Sequence, residues 1–224
     1  MKANKVSIIA ASAFCLTALF IACANNINDY TGTISVAKVE VRALQAPVYG
    51  EQDSQARTVA NGANDFAFRL SASLLKNSGN ENFVCSPYSV WLPLAALANA
   101  ATPQSKAALL TALGATGISE NDVNTASSRM LYDLTNLRSK ESGQYYNPIK
   151  IANAIFVGNN VSLRLDFAQT FMDYYRGSSI NVDFSSKSAV DAVNRWAREN
   201  TDGLIDNIIQ EFDPETIAAI ANAI

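Results

Sequence analysis

The sequence predicts an α+β fold, with several N-terminal helices followed by strands of a large central sheet that is incomplete at the C-terminus. Apolar residues recur every three or four positions between residues 64 and 137, which is typical of amphipathic helices. From residue 149 onward they alternate or run continuously over short stretches, which is typical of strands. The last stretch, residues 217–224 (IAAIANAI), indicates a central strand that has nothing after it to pair with.

The composition narrows the classes of function. The chain has 224 residues, 49% of them hydrophobic, with 17 basic and 20 acidic side chains and no histidine. It is apolar enough to bury a core, but it can build neither a Ser-His-Asp nor a Cys-His nucleophile, nor an imidazole metal site. A net charge of −3, with no basic run after the N-terminus, argues against a nucleic-acid surface. We therefore expect a protein that is not an enzyme and holds no metal or cofactor.

The N-terminal segment, residues 1–22, is typical of a secretory signal peptide. Lys2 and Lys5 precede an uncharged apolar stretch that is marginal in length for a membrane-spanning helix. The stretch ends at Cys23 in the sequence FIAC, which is similar to a bacterial lipobox, where the cysteine becomes the lipidated first residue. Ordinary cleavage after Ala24 is the alternative.

This segment predicts where the protein lies in the cell. We expect an exported protein, either extracellular or attached to the outer membrane or cell surface through a lipid on Cys23. Polar residues then dominate, and residues 23–62 are predicted to form a tether to the folded region, residues 63–224. Once the signal peptide is removed and Cys23 is lipidated, Cys85 is a lone thiol, so no disulfide framework is expected.

Four helices are predicted in the first part of the folded region from their starting residues. A serine or threonine followed by proline, the arrangement favoured at the first turn of a helix, starts two of them. A serine followed three residues later by an acidic residue starts another. The predicted starts are Asn64–Asp65, Ser86–Pro87, Thr102–Pro103 and Ser119, and the first and third helices are predicted to end near Gly79 and Gly114.

Strands and helices alternate in the second half of the chain. Residues 149–157 are apolar on both faces, which predicts a strand inside a covered sheet. Residues 179–184 alternate between apolar and polar, which predicts an edge strand. A helix capped by Asp166 is predicted between these strands, and another follows over residues 186–200. Residues 217–224 are then a strand, with a helix as the alternative because the stretch is rich in alanine.

Several segments, taken in order, make the chain similar to the N-terminal portion of a serpin. The similarity covers residues 63–224, which is about half of the family's domain, and it implies a serpin-like α+β fold. No single motif is specific, but the ordered set is. The motifs are residues 64–70 (NDFAFRL), 82–90 (NFVCSPYSV), 151–157 (IANAIFV), 182–184 (VDF), 194–196 (NRW), 201–205 (TDGLI) and 220–224 (IANAI).

The resemblance implies a suicide-substrate protease inhibitor whose partners are serine or cysteine proteases. In that family the protease cleaves an exposed reactive loop, which then inserts as a new strand into the central sheet. The loop lies near the C-terminus of the family's domain, and no segment of this chain corresponds to it. We therefore expect this chain alone not to inhibit a protease, whatever its parent protein does. The rival hypothesis is a non-inhibitory surface lipoprotein, or a truncated product of serpin ancestry.

The resemblance also implies three site residues, Ser86, Ser89 and Asn222, which match family positions where buried polar groups form hydrogen bonds beneath the central strands. Small hydroxyls and an amide can exchange partners when strands part, at a net cost of about 1 kcal/mol per bond. Ser86 has an alternative explanation as a helix cap. Asn222 has no comparably simple alternative explanation, because an amide in an otherwise apolar strand must find hydrogen-bond partners.

Overall fold

The computed structural model describes residues 5–11, 54–77, 84–138, 142–146 and 149–224, which form six helices and six strands. The predicted α+β class is confirmed. The helices are α1 (Ser54–Asn77), α2 (Pro87–Ala98), α3 (Pro103–Ala112), α4 (Glu120–Thr135), α5 (Leu165–Tyr175) and α6 (Lys187–Asn200). The strands are β1 (Lys5–Ala11), β2 (Leu137–Arg138), β3 (Tyr145–Tyr146), β4 (Ala152–Gly158), β5 (Gly177–Val182) and β6 (Thr216–Ala223).

Side-chain caps start four helices at the predicted places. The hydroxyls of Ser86, Thr102, Ser119 and Ser186 each accept a hydrogen bond from a backbone N–H in the first turn of α2, α3, α4 and α6, respectively. In α2 and α3 a proline follows the cap, where its missing N–H is harmless. A cap of this kind stabilises a helix by about 1 kcal/mol. Local sequence therefore sets where these four helices begin.

The start of α1 differs from the prediction. The helix begins at Ser54 rather than at Asn64, and Val59 in its first half is 1% exposed in the core. Residues 54–62 therefore belong to the packed fold, although the sequence analysis placed them in the tether. The first half of α1 carries alanine, glycine and threonine without a strong apolar stripe, so its periodicity gave no helix signal.

The start of α5 is the second correction. The residue before the helix is Arg164, whose side chain makes no capping hydrogen bond. Asp166, predicted as the cap, lies inside the first turn, where its carboxylate accepts a hydrogen bond from the Phe167 N–H and pairs with Arg164. A negative charge in the first turn is favourable because it faces the positive end of the helix dipole. Asp166 therefore supports the helix from within.

The larger sheet has the strand order β1-β6-β4-β5. β6 lies between β1, to which it is parallel, and β4, to which it is antiparallel, and β5 pairs with β4 in parallel at the edge. β2 and β3 form a separate antiparallel pair. The predictions of two inner strands and one edge strand in the second half are thus confirmed, and the helix alternative for the last stretch is wrong.

Part of the N-terminal region lies outside the described residues. β1 comes from within the predicted signal peptide and pairs with β6 from Lys5 to Ala11. Cys23 and the rest of the predicted tether up to residue 53 fall among the residues that the structure leaves undescribed. Within the described ranges, no helix combines the length and the apolar character that crossing a membrane requires.

The sheet separates two hydrophobic cores. On one face, Ile155, Val157 and Ile220 pack with the buried side chains of α2, α4 and α5. On the other face, Ala219, Ala221 and Ala223 of β6 and Phe156 of β4 pack under α6, whose Trp196 ring meets Phe156 edge-on at a centroid distance of 6.2 Å. Apolar side chains on both faces explain why β4 and β6 have almost no polar positions.

Candidate functional site

Two of the three predicted site residues meet at the start of α2. The Ser86 hydroxyl accepts a hydrogen bond from the Ser89 N–H at 3.3 Å and another from the Ser89 hydroxyl at 3.0 Å. Ser86 is thus the helix cap that its position before Pro87 predicts, and Ser89, 1% exposed, is held by it. The two serines therefore bond within the first turn of α2, where they cap the helix.

Helix α2 lies directly against the sheet and packs on β6. Its Trp91 donates a hydrogen bond from Nε1 to the Leu113 carbonyl at 3.0 Å, which ties the helix to the turn after α3. Pro93 lies inside the helix and has no N–H, so the carbonyl of Ser89 cannot accept the usual bond from it. The helix that faces β6 therefore carries a weak point one turn after its cap.

Asn222 lies fully buried in β6, on the face of the sheet that α2 covers, because it is two residues from Ile220. Its Nδ2 donates a hydrogen bond to Oδ1 of Asn153 at 2.8 Å, and the two residues are directly opposite in the β4–β6 register. Its own Oδ1 is buried without a hydrogen-bond partner among the described residues. The amide nitrogen of Asn222 therefore has a hydrogen-bond partner, whereas its amide oxygen has none among the described residues.

Asn153 connects this pair to the helical layer. Its Nδ2 donates to the backbone carbonyl of Tyr175, at the end of α5, at 2.7 Å. The Tyr175 hydroxyl donates to Oδ1 of Asn124 in α4 at 2.7 Å, and Asn124 forms a reciprocal amide pair with Asn99 at the end of α2, at 2.9 and 3.0 Å. We call these five residues the buried amide chain. It runs from β6 through β4, α5 and α4 back to α2, the helix that packs on β6.

The structure brings the predicted residues together only in part. Ser86 and Ser89 bond to each other, whereas Asn222 bonds to Asn153. In the part of the chain that the structure describes, no hydrogen bond joins either serine to Asn222. The amide is linked to α2 instead by the longer route through Tyr175 and its partners.

A sequence signal for the amide pair was present and was missed. The pentapeptide IANAI occurs twice, at residues 151–155 and 220–224. It reads the same in both directions, so antiparallel pairing places like residues opposite, including Asn153 opposite Asn222. The argument that an amide in an apolar strand must find a partner applies equally to both. Asn99, Asn124 and Tyr175 carry no comparable signal, because polar residues in helices are usually exposed.

Burial governs the charge state of the two phenols near this chain. Burial raises the pKa of Tyr175, and it raises the pKa of Tyr88, with a further increase from the neighbouring Tyr175. The Tyr88 hydroxyl is shielded from water without a partner among the described residues, and its ring stacks on Trp91 at a centroid distance of 6.2 Å. Both phenols are therefore neutral at physiological pH.

The chemistry available at this site is exchange of hydrogen bonds. Amides and hydroxyls carry no charge to stabilise, so they can change partners at about 1 kcal/mol per bond when the elements that hold them move. In the described part of the chain, no three acidic or cysteine side chains lie close enough together to hold a metal ion. The groups that meet at this site are thus uncharged hydrogen-bonding groups.

Comparison with known proteins gives a match over most of the chain. The family model described as "Serpin (serine protease inhibitor)" matches residues 61–224. Antichymotrypsin-2 of Bombyx mori is 29% identical over 167 residues, which cover 73% of this chain and 42% of that protein. The chain thus spans less than half the length of this curated relative.

Solved structures show the same similarity. The thermophilic serpin tengpin, in its native state, has 30% sequence identity and a TM-score of 0.64, covering 81% of this chain and 43% of that one. Human glycosylated kallistatin has 22% identity and a TM-score of 0.65, covering 76% and 44%. At 22% identity, the similarity to kallistatin shows only that the fold is shared.

Proposed function

The chain belongs to the serpin family, and from this premise we propose that the protein that carries it is a protease inhibitor of the loop-inserting type. The observation that carries the proposal is the family match over residues 61–224. The name of the Bombyx mori relative, an antichymotrypsin, supports serine proteases as the class of target. The buried amide chain supports a sheet that opens, because one exchangeable amide bond joins the central strands β6 and β4 and another joins β4 to the end of α5.

In this proposal Asn222 and the serine pair regulate how readily the sheet opens. Asn222 lies in a central strand with one amide bond made and one acceptor open, so a small movement of β6 changes its bonding rather than breaking a packed contact. Ser86 and Ser89 fix the start of the helix that packs on β6. Changes at either place alter the balance between the closed sheet and the sheet with an added strand.

The test uses the protein expressed from its complete reading frame, incubated with chymotrypsin or trypsin. A loop-inserting inhibitor forms a covalent adduct that survives denaturing electrophoresis, and we expect Asn222→Ala to change the ratio of adduct to cleaved inhibitor. Asn181→Ala is the matched control, because Asn181 is an exposed amide on the edge strand β5. Cleavage of the wild-type protein without any adduct, across a panel of proteases, would refute inhibition and favour a non-inhibitory serpin.

We also propose that cysteine proteases are within the range of targets. Loop insertion displaces any protease whose nucleophile has been acylated by the loop. Inhibition by this route therefore does not depend on the nucleophile being serine. A parallel incubation with papain tests this part separately. Adduct formation with serine proteases but only cleavage by papain would restrict the targets to the serine class and leave the inhibitor proposal intact.

Export and lipid anchoring form a further proposal that rests on the sequence alone. The FIAC sequence ending at Cys23 and the preceding apolar segment support a lipoprotein signal. We expect the wild-type protein, expressed in a bacterium fed with labelled palmitate, to carry label and to partition into the membrane fraction. Cys23→Ser should abolish both, while Cys85→Ser should abolish neither. Label that persists in Cys23→Ser would contradict the assignment.

A further inference from the structure

The strand β1, from Lys5 to Ala11, lies in the part of the chain that the sequence predicts to be a signal peptide. It pairs with β6 in parallel along its whole length, with a register shift after Lys5 and regular pairing from Val6 to Ala11. Helix α2 packs on β1 as well as on β6. The segment that is expected to be removed on export is therefore part of the folded sheet.

β6 has two edges for hydrogen bonding, and each of them has a partner. β4 pairs with one edge in the antiparallel sense, and β1 pairs with the other. A further strand next to β6 must therefore take the place of one of these two. β4 is held on its other side by β5, and Asn153 ties it to the end of α5, whereas β1 is the outermost strand of the sheet. The loss of β1 would thus disturb the rest of the sheet least.

The edge of β6 that β1 occupies has none of the features that protect an exposed edge. Residues 217–223 (IAAIANA) contain no charge and no proline, and Ala219 and Ile220 in the middle of the strand are fully buried. Natural sheets protect their edges with lysine, proline or a bulge, because an open row of N–H and C=O groups binds another strand. Without β1, this edge would be open to an extended segment.

We propose that β1 is an autoinhibitory strand that keeps the outer edge of β6 closed until the signal peptide is removed. The inference rests on the proposed export, in which residues 1–22 are cleaved off, and on the β1–β6 pairing. Before cleavage, β1 is attached to the chain and competes with any free strand at a high effective concentration. After cleavage, the edge takes up an extended apolar segment through main-chain hydrogen bonds. A precursor that keeps its leader is therefore unable to add a strand next to β6.

The experiment measures the binding of a fluorescein-labelled peptide with the sequence of residues 5–11 (KVSIIAA) to the full chain by fluorescence anisotropy. The wild-type chain should bind it weakly, because its own β1 occupies the edge. Ile8→Pro/Ile9→Pro should raise the affinity at least about tenfold. Alternate residues of a strand donate to the same neighbour, so one of the two prolines must remove a donor to β6 and weaken the internal competitor.

Ile8→Val/Ile9→Val is the matched control. Valine suits a strand as well as isoleucine does, so this variant should bind the peptide as the wild type does. A labelled peptide with proline at both isoleucine positions should not bind to any of the three chains, because it cannot complete the ladder with β6.

A second measurement needs no variant, so the proposal stays testable if the proline variant fails to fold. Hydrogen exchange read by NMR reports single amides of β6. In the wild-type chain the amides that face β1 should be protected, as those that face β4 are. In the folded proline variant only the amides that face β1 should exchange faster, at least about tenfold, because the β4–β6 ladder is intact.

Three results would overturn the proposal: free exchange of the β1-facing amides in the wild-type chain, equal peptide binding by the wild type and the proline variant, or equal binding of the proline-containing peptide. None of them affects the lipoprotein or inhibitor proposals, because palmitate labelling and adduct formation are measured separately. An exported protein that retains residues 1–22 would overturn the regulatory role for a different reason, the failure of the proposed cleavage.

Discussion

At the scale of single residues, the polar groups in the core differ in how completely they are satisfied. Asn153 uses both ends of its amide, donating to the Tyr175 carbonyl and accepting from Asn222. The Tyr88 hydroxyl and the Asn222 Oδ1 are buried without partners among the described residues. A net hydrogen bond stabilises by about 1 kcal/mol, whereas a buried polar group left unpaired costs about 1–3 kcal/mol. Removing groups of the two kinds should therefore have opposite effects.

The two buried tyrosines give the simplest test. We expect Tyr88→Phe to leave the free energy of unfolding unchanged or to raise it by up to about 1 kcal/mol, because the hydroxyl it removes has no partner. Tyr175→Phe should lower it by roughly 1–2 kcal/mol, because Asn124 Oδ1 loses one of its two hydrogen-bond donors. Each variant deletes one buried hydroxyl and controls for the other. Urea unfolding followed by circular dichroism measures both, and equal losses would contradict the structure.

The amide pair calls for a double-mutant cycle. Asn153→Ala should lower the free energy of unfolding by roughly 2–3 kcal/mol, since it removes two hydrogen bonds and leaves the Tyr175 carbonyl and the Asn222 amide nitrogen without these partners. Asn222→Ala should cost about 1 kcal/mol less, because one of its ends is already unpaired. The double variant should fall short of the sum by about 1 kcal/mol. Strict additivity in urea unfolding would show that the two side chains do not interact.

At the scale of elements, two glycines let α1 approach the turn after α3. A Cβ atom built on Gly62 would lie 2.2 Å from the Gly114 carbonyl oxygen, closer than any real contact. Gly114 also has a φ of 76°, which only glycine adopts without strain. The register of α1 against the helical layer is thus set by the absence of side chains at one point. This contact explains why the N-terminal half of α1 is packed although its sequence has a weak apolar pattern.

Gly62→Ala tests this contact. The new methyl group must displace backbone, so we expect a loss of roughly 2–3 kcal/mol in the free energy of unfolding despite the better helix propensity of alanine. Gly117→Ala is the matched control, with open space around the position and a φ of 75°. It should lose only about 1 kcal/mol, from backbone strain. A Gly62→Ala variant that is as stable as the control in thermal denaturation would mean that α1 does not approach Gly114 so closely.

The elements were predictable where the signal was local. Ser86, Thr102, Ser119 and Ser186 act within three residues of the helices they start, and the sequence identifies each of them. The start of α1 depends on a distant glycine, and the position of Asp166 depends on whether the helix begins after Arg164 or after Asp166 itself. Neither can be inferred from spacing, because tertiary packing decides both.

At the scale of the whole molecule, the sheet and its two cores follow from the apolar pattern of the second half of the chain. The covered strands and the edge strand β5 were predictable, because the alternation of apolar and polar residues along a strand indicates whether one of its faces or both are buried. The buried amide chain was predicted at Asn222 and was predictable at Asn153 from the repeated pentapeptide. Its other members, Tyr175, Asn124 and Asn99, lie on or next to three different helices, and the sequence does not show which helix ends meet behind β4. The pairing of residues 5–11 with β6 was not foreseen either.

The buried phenols make global stability depend on alkaline pH. The pKa values of Tyr88 and Tyr175 are raised in the folded chain above the ordinary value near 10, mainly by burial. Their contribution is fully present below pH 10 and is lost as the pH rises above it, because the unfolded chain then releases protons that the folded chain keeps. We expect the free energy of unfolding to fall by up to roughly 2.7 kcal/mol per pH unit from these two groups.

Urea unfolding between pH 9 and 11.5, with absorbance at 295 nm to follow phenolate, measures this slope. Two of the eight tyrosines should ionise only when the chain unfolds. The Tyr88→Phe and Tyr175→Phe double variant should lose most of the slope. A double variant with an unchanged slope would place the alkaline sensitivity elsewhere.

The repeated IANAI pentapeptide has a consequence for how the two inner strands find their alignment. Alanine and isoleucine recur along both strands, so a slide of two positions would keep the same faces inward and leave little difference in hydrophobic contact. Such a slide would put each asparagine against an aliphatic chain. Asn222 would then have no amide partner, and Asn153 would keep only its bond to the Tyr175 carbonyl. The two asparagines therefore favour one register of β4 against β6. A variant with alanine in place of either would populate more than one register of similar stability.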